Sequence, residues 1–409
     1  MPDRRARIAL YSHDTMGLGH MRRNLLVAHA LTKLTPAPTI LMLFGAREAA
    51  NYALPPGVES VTLPAFAKGT DGGYRARTLD VSIDGLVQLR SNALQAVLGA
   101  FSPDLLIVDK VARGALGELE PTLAMLRRRH RTRIVLGLRD LLDEAETVRR
   151  EWADDHTVAA IRSYYDAVWV YGDRRVCDPV VEYDLPPDAA LKVAFTGYLD
   201  PRARWSAPGQ PPLAPPDHPY ALCMVGGGQD GDAVARAFAA ARRPEGLGGV
   251  IVTGPFLSAE TRGVLDRARA SDPGLVVHGF VADPAQLIAG ATRVVAMGGY
   301  NTVTELLAYG KPALVVPRVA PRTEQLLRAE RMERMGLLQV LHPERLSPAA
   351  LSAWLAQPGG TAPAAAAQTL DFGGIGQVTS MAAQLLQVRP RRIPVQTFGS
   401  EWEVQRVAV

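Results

Sequence analysis

Short apolar runs, each closed by turn residues, alternate with helical stretches along this chain. In the first half the runs are Arg7–Ser12, Thr39–Phe44, Leu105–Asp109, Arg133–Gly137 and Ala167–Tyr171. Helices are expected between them at Leu18–Lys33, Leu86–Phe101 and Gly117–Arg129. The second half repeats the grammar, with strands expected at Tyr220–Val225, Gly249–Thr253, Leu275–His278, Arg293–Met297 and Ala313–Val316. A strand apolar at nearly every position needs cover on both faces, and a parallel sheet with crossover helices supplies it. The pattern predicts an α/β chain with two parallel, helix-covered sheets.

The break between the halves is compositional. Asp200–Pro219 carries seven prolines and few core residues, which reads as a linker. At 409 residues the chain exceeds one ordinary domain. We expect a Rossmann-like acceptor-side domain over residues 1–200, a linker over 201–219, a second Rossmann-like domain over 220–375, and a helix and tail over 376–409. Two such domains enclose a cleft, and ligands of open parallel sheets bind beyond the carboxyl ends of the strands.

Several function classes are excluded. The net charge is only +4, and no Lys/Arg block with interleaved aromatics appears, so no nucleic acid partner is expected. Two basic clusters, Arg127–Arg129 with Arg131 and Arg133, and Arg389 with Arg391 and Arg392, are either solvated surface or a contact for anionic lipid or an acidic acceptor. Cys177 and Cys223 lie far apart and lack zinc spacing, which fits a reducing cytoplasm. No stretch reaches the ~20 apolar residues of a membrane span. A cytoplasmic protein is expected, at most peripheral at the inner face of the plasma membrane. No clustered His, Cys or Asp pattern calls for a metal or other cofactor, and no Gly-x-Ser-x-Gly elbow suggests acyl transfer.

The chemistry collects at turns. SHDTMGLGHMRRN ends the first strand with Gly17 and Gly19 and opens a helix at His20. An imidazole at a helix N-terminus is disfavoured as a cation, so His20 is expected neutral, a base or a hydrogen-bond donor, or else a structural turn residue. His13 can face the same cleft. Gly226, Gly227 and Gly228 follow a strand and would let a phosphate approach the backbone. In MGGYNTVTE, Gly298 and Gly299 precede Asn301 and Thr302, which are N-cap types, and Thr302-x-x-Glu305 has capping-box spacing. That helix N-terminus suits an anion; Glu305, one turn in, either completes the box or reaches hydroxyls beside the anion. In HGFVADP, Phe280 either covers a base, with the Val281 backbone at its edge, or joins the core. Glu324 and Gln325 open a later helix and suit paired sugar hydroxyls, or the acid merely complements the dipole. Asp109 and Asp140 end strands of the first half and either line the acceptor side or are structural.

Taken in order, these segments resemble the GT-B glycosyltransferases, and among them the bacterial group of the peptidoglycan N-acetylglucosaminyltransferase. The resemblance rests on Gly17–His20, on Gly226–Gly231, on Phe280, Val281 and Asp283, on Gly299, Thr302 and Glu305, and on Glu324–Gln325. It implies a nucleotide-sugar donor, with uracil against Phe280 and Val281, ribose on Glu305 and the donor sugar on Glu324 and Gln325. It further implies an inverting, metal-independent transfer to a hydroxyl on a glycan, lipid-linked or small-molecule acceptor, with His20 as base or pyrophosphate contact. GHMRRNLLVAHAL is also similar to the loop of a UDP-sugar hydrolase of pseudaminic acid synthesis, in which His20 would activate water. A nonhydrolysing epimerase and a non-catalytic nucleotide-sugar binder complete the alternatives.

Overall fold

A computed structural model describes residues 4–13, 19–45, 52–68, 73–205, 213–227, 230–358 and 370–387. Gly17, Gly228, the middle of the proline-rich stretch and residues 388–409 lie outside the described residues.

The first half forms a seven-stranded parallel sheet. In chain order its strands are β1 (Arg7–Ser12), β2 (Thr39–Phe44), β3 (Val58–Thr62), β6 (Leu105–Asp109), β7 (Arg133–Arg139), β8 (Ala167–Tyr171) and β9 (Val193–Phe195). Their spatial order is β3-β2-β1-β6-β7-β8-β9. A small antiparallel hairpin, β4 (Phe66–Lys68) with β5 (Tyr74–Ala76), sits apart. The second half holds β10 (Tyr220–Met224), β11 (Gly248–Val252), β12 (Leu275–His278), β13 (Arg293–Ala296), β14 (Ala313–Val315) and β15 (Gln339–Val340), ordered β12-β11-β10-β13-β14-β15. All pairs in both sheets are parallel. Each sheet therefore reverses direction beside its first strand, and a crevice opens there.

Central strands are buried throughout, as their uninterrupted apolar sequences require: β6 and β10 are buried at every position. The sequence pattern missed β3, β9, β15 and the hairpin. β3 is an edge strand with three solvent-exposed residues of five, so it lacks an apolar run. Helix starts also shift. The second long helix begins at Ile83, because the Ser82 side chain caps the Gly85 N–H. Residues 115–117 form a separate 3-10 turn before the helix Glu120–Arg129.

Two expectations are corrected here. The basic cluster at 127–133 is partly structural: Arg127 donates to Tyr164 O and Asp166, and Arg133 also bonds Asp166. The closing helix, Gly374–Gln387, starts two residues early and packs on the first helix, Gly19–Leu31. Tyr198 N–H donates to Asp371 O at 2.7 Å, and Leu199 bridges Gly373, so the chain crosses back to the first sheet before this helix. Among the described residues no helix is long and apolar enough to cross a membrane.

Candidate functional site

The two crevices face one another across a cleft of about 380 Å3. On the first sheet's side, Gly19 opens the first helix directly after the β1 loop, placing His20 in its first turn. The His20 Nδ1 lies against Asp109 Oδ2, at the end of β6. Asp109 is 1 % exposed, and Arg23 holds both its oxygens, with Nη2 at 2.6 and 2.7 Å. Burial opposes charge on Asp109, but Arg23 and His20 beside it keep its pKa below the ordinary carboxylate value. Arg23 Nη2 also lies 3.0 Å from Nδ1, but the contact with Asp109 is the shorter one, and since a carboxylate only accepts, it assigns the proton to Nδ1 and the free lone pair to Nε2. Burial, resisted by Asp109, pushes the His20 pKa down to about 4. At that value the imidazole is neutral at pH 7, and burial is the largest cause.

His13 packs against His20 with ring centroids 4.9 Å apart and planes tilted by 51°, and burial pushes its pKa down too. It lines the cleft as a packing neighbour of His20. Asp109 is the orienting partner of His20 and is not itself on the cleft wall. Asp140 is corrected outright. It is buried under Arg328, whose Nη2 lies 2.8 Å from Oδ1, and accepts from Tyr198 Oη at 2.9 Å. It joins the two halves and does not line the cleft.

On the second sheet's side the turn after β10 brings Gly226 and Gly227 to the cleft. Gly254 underlies this turn. Its φ is +71°, and a Cβ there would sit 2.3 Å from Gly226 O. We expect Gly254→Ala to displace the turn and to weaken nucleotide binding at least tenfold, read by calorimetric titration; unchanged affinity would remove this turn from the site.

The helix after β13 runs Tyr300–Ala308 with Gly299 as N-cap. The N-cap role of Asn301 and Thr302 is therefore corrected, and with it the capping box: no side-chain cap bond forms. The helix starts earlier because Gly299 already has extended φ and ψ and its carbonyl accepts from Val303 N–H. The N–H groups of Tyr300, Asn301 and Thr302 belong to the first turn, where no helical acceptor exists, so an anion can take them. Asn301 spends its amide on Gly19 O at 3.0 Å, across the two halves. Gly298 is corrected as well. Its N–H already donates to Gln325 Oε1, and a Cβ would come within 3.0 Å of Gln325 O. This glycine serves close packing of the helix Glu324–Arg334, not phosphate approach.

Glu305 also departs from expectation. It is 1 % exposed and lines a small side pocket, not the main cleft. Its Oε1 accepts from Arg22 Nη2 at 2.6 Å and from Arg204, which also holds Asp283. Burial disfavours the Arg204 charge, yet Glu305 and Asp283 hold its pKa above the ordinary value. Phe280 is 36 % exposed on the cleft wall, edge-on to Tyr52 at 5.6 Å, and Val281 lies beside it. Glu324 and Gln325 both line the cleft. Glu324 Oε1 accepts from Arg318 at 2.7 Å, while its buried Oε2 has no partner among the described residues. Gln325 uses its oxygen on the N–H of Gly298 and Arg318, which leaves its NH2 for a ligand.

The cleft also gathers cations for which the sequence suggests no role: Arg22, Lys110, Arg318 and Arg322, with Arg139, which the sequence places only at a strand end beside Asp140. They come from separate segments and form no motif. Only Arg23 carried a local signal, three residues after His20 on one helix. Among the described residues no group of three or more His, Cys, Asp or Glu is placed to hold a metal.

Residues 222–358 match the glycosyltransferase family 28 C-terminal domain. Over 129 residues the chain is 33% identical to a UDP-N-acetylglucosamine--N-acetylmuramyl-(pentapeptide) pyrophosphoryl-undecaprenol N-acetylglucosamine transferase of Sorangium cellulosum (strain So ce56). That match covers 30% of this chain and 32% of the relative, so the chain matches about a third of its length. The calicheamicin glycosyltransferase CalG4 superimposes with a TM-score of 0.54 at 19% identity, covering 94% of this chain and 95% of that one. A Listeria monocytogenes protein assigned as a UDP-N-acetylglucosamine 2-epimerase gives 0.62 at 13%, covering 96% and 100%. The chain has the GT-B fold, two Rossmann-like units facing a cleft.

Proposed function

We propose that this chain is a glycosyltransferase that moves a sugar from a nucleoside diphosphate, a UDP-sugar by resemblance, to an acceptor hydroxyl. The observation that carries this reading is the buried His20–Asp109 pair, set across the cleft from a helix N-terminus with unclaimed N–H groups. A neutral imidazole on the cleft wall, with Nε2 unprotonated, can take the acceptor's proton as the new glycosidic bond forms. As the bond to the diphosphate breaks, negative charge grows on the leaving oxygens. The first turn of Tyr300–Ala308, the Gly226–Gly227 turn and the Arg22 and Arg318 guanidiniums supply fixed positive potential for it without a metal. Phe280 and Val281 would hold the base, and Glu324 Oε2 with the Gln325 NH2 would hold the donor sugar. Inversion at the anomeric carbon follows from the resemblance alone, and the acceptor is a glycan, a lipid-linked glycan or a small molecule. A lipid-linked acceptor would bring the protein to the inner face of the plasma membrane.

Glu305 enters this reading through Arg22. Its carboxylate anchors a guanidinium that lines the cleft, so Glu305→Ala should weaken UDP binding and also lower unliganded stability by about 1–3 kcal/mol, since Arg22 loses its ion-pair partner and Arg204 keeps only Asp283. Loss of stability with unchanged UDP affinity would make it a purely structural anchor. The test of the function is calorimetric titration with UDP, UDP-sugars, GDP, dTDP and ADP without divalent metal, followed by product analysis. Selective, metal-independent binding supports the reading, and absence of any nucleotide binding sinks it. Release of free sugar without acceptor would shift it to a hydrolase in which His20 activates water.

A further inference from the structure

β6 and β7 are neighbouring strands, with Asp109 paired to Gly137. Lys110 follows β6 directly and Arg139 ends β7, so both project from the same edge of the first sheet, and both line the cleft. The Lys110 backbone is left-handed, with φ +65°, and its N–H is fixed to Gly137 O at 2.7 Å. A lysine rarely adopts that conformation.

The other cleft cations are matched. Arg318 pairs with Asp230 and Glu324, Arg322 with Asp143 and Glu151, Arg23 with Asp109, and Arg22 with Glu305. Among the described residues Lys110 has no ion-pair partner. Arg139 has one ion-pair partner, Glu324 at 3.8 Å, a carboxylate already taken by Arg318 at 2.7 Å, and its Nη2 otherwise donates only a long bond to Leu142 O at 3.4 Å. The Arg139 Nε is buried without a hydrogen-bond partner. Burial, then repulsion by Arg139 and Arg322, pushes the Lys110 pKa down to about 7 against the weaker pull of Glu324 and Glu151. Burial likewise lowers Arg139 to about 10. Two cations at neighbouring strand ends are thus buried and only partly compensated by Glu324 and Glu151, and an anion beside them would relieve both the repulsion and the lost hydration.

The nucleotide's diphosphate already has a seat on the opposite wall, at the Tyr300 helix N-terminus and the Gly226–Gly227 turn. We infer that Lys110 and Arg139 form a second oxyanion subsite, which holds a phosphate or carboxylate group of the substrates other than the nucleotide diphosphate. This rests on the glycosyltransferase reading and narrows its substrates to a pair that carries an extra negative charge. Two sources fit that chemistry: a phosphate on the acceptor, or a carboxylate on the donor sugar.

The experiment compares wild type, Lys110→Gln and Lys110→Gln/Arg139→Gln by calorimetry, with circular dichroism confirming the fold. One arm titrates glucose 1-phosphate into protein saturated with UDP. The other compares UDP-glucuronate with UDP-glucose. We expect one arm to lose at least tenfold in affinity in the double variant and less in the single one, while UDP alone changes by less than threefold. Loss in the first arm assigns the acceptor phosphate, and loss in the second assigns the donor carboxylate. If the carboxylate arm is the responsive one, its affinity falls as pH rises through about 7, where the Lys110 cation is lost. Unchanged affinity in both arms, or an equal loss for UDP, overturns the second subsite while leaving the function intact. Failure of wild type to bind UDP overturns both.

Discussion

His20→Ala should retain UDP affinity within a few-fold and lose about 100- to 10,000-fold in turnover, the usual contribution of a positioned general base. Titration and initial rates separate the two quantities. The imidazole sits at the cleft with Nδ1 committed to Asp109, so its removal takes away the proton acceptor but not the helix N-terminus opposite. Asp109→Asn should also cost turnover, because an amide can donate to Nδ1 and so favour the tautomer with the proton on Nε2. The pH profile follows from the His20 pKa near 4. The base form is present above that value and is lost as pH falls through it. The rate should therefore be flat on the acid side of neutrality and drop only toward pH 4. Full turnover in His20→Ala, or an acid limb near the ordinary histidine value, would falsify its role as base.

Asp140→Ala should produce the largest loss of stability, about 3–5 kcal/mol, because it strands a buried guanidinium. Asp140 and Arg328 are 0 % and 1 % exposed at their side chains. Arg328 also donates to Leu141 O at 3.0 Å and Gly298 O at 3.2 Å, so one side chain ties the end of β7 to the turn after β13. Urea unfolding followed by circular dichroism reads the midpoint. Asp140→Ala with Arg328→Met should recover part of the loss, since no unpaired charge then remains buried. Asp184→Ala, which removes an exposed partner of Arg149, should leave the midpoint nearly unmoved. A similar midpoint for Asp140→Ala and Asp184→Ala would mean that water reaches the buried pair.

The strands that build both crevices were legible because each is apolar at nearly every position, the signature of a sheet covered on both sides. β3 was not, because as an edge strand it is mostly exposed and only Val58 is buried. His20 was legible from its turn. Its partner was not, because Asp109 lies 89 residues further on and reaches His20 only through the strand order, which sets β6 beside β1. The capping-box spacing at Thr302 and Glu305 misled for a local reason: Gly299 had already capped the helix, which freed Glu305 to meet Arg22 and Arg204. Gly298 looked like a phosphate glycine, yet its requirement comes from Gln325, a neighbour that sequence spacing does not reveal. Lys110 carried no signal, and Arg139 could be placed at a strand end but not paired with Lys110, since the strand order alone sets the two side by side.

The return of the closing helix to the first sheet has a consequence for synthesis on the ribosome. Residues 4–205 emerge first, but the surface of Gly19–Leu31 that receives Gly374–Gln387 stays bare until the second sheet has been made. At about 5–20 residues per second, that exposure lasts on the order of ten seconds or more. The nascent first half is then a natural client for a holdase chaperone. A ribosome stalled before residue 374 should show it bound, and one stalled well beyond residue 387 should not.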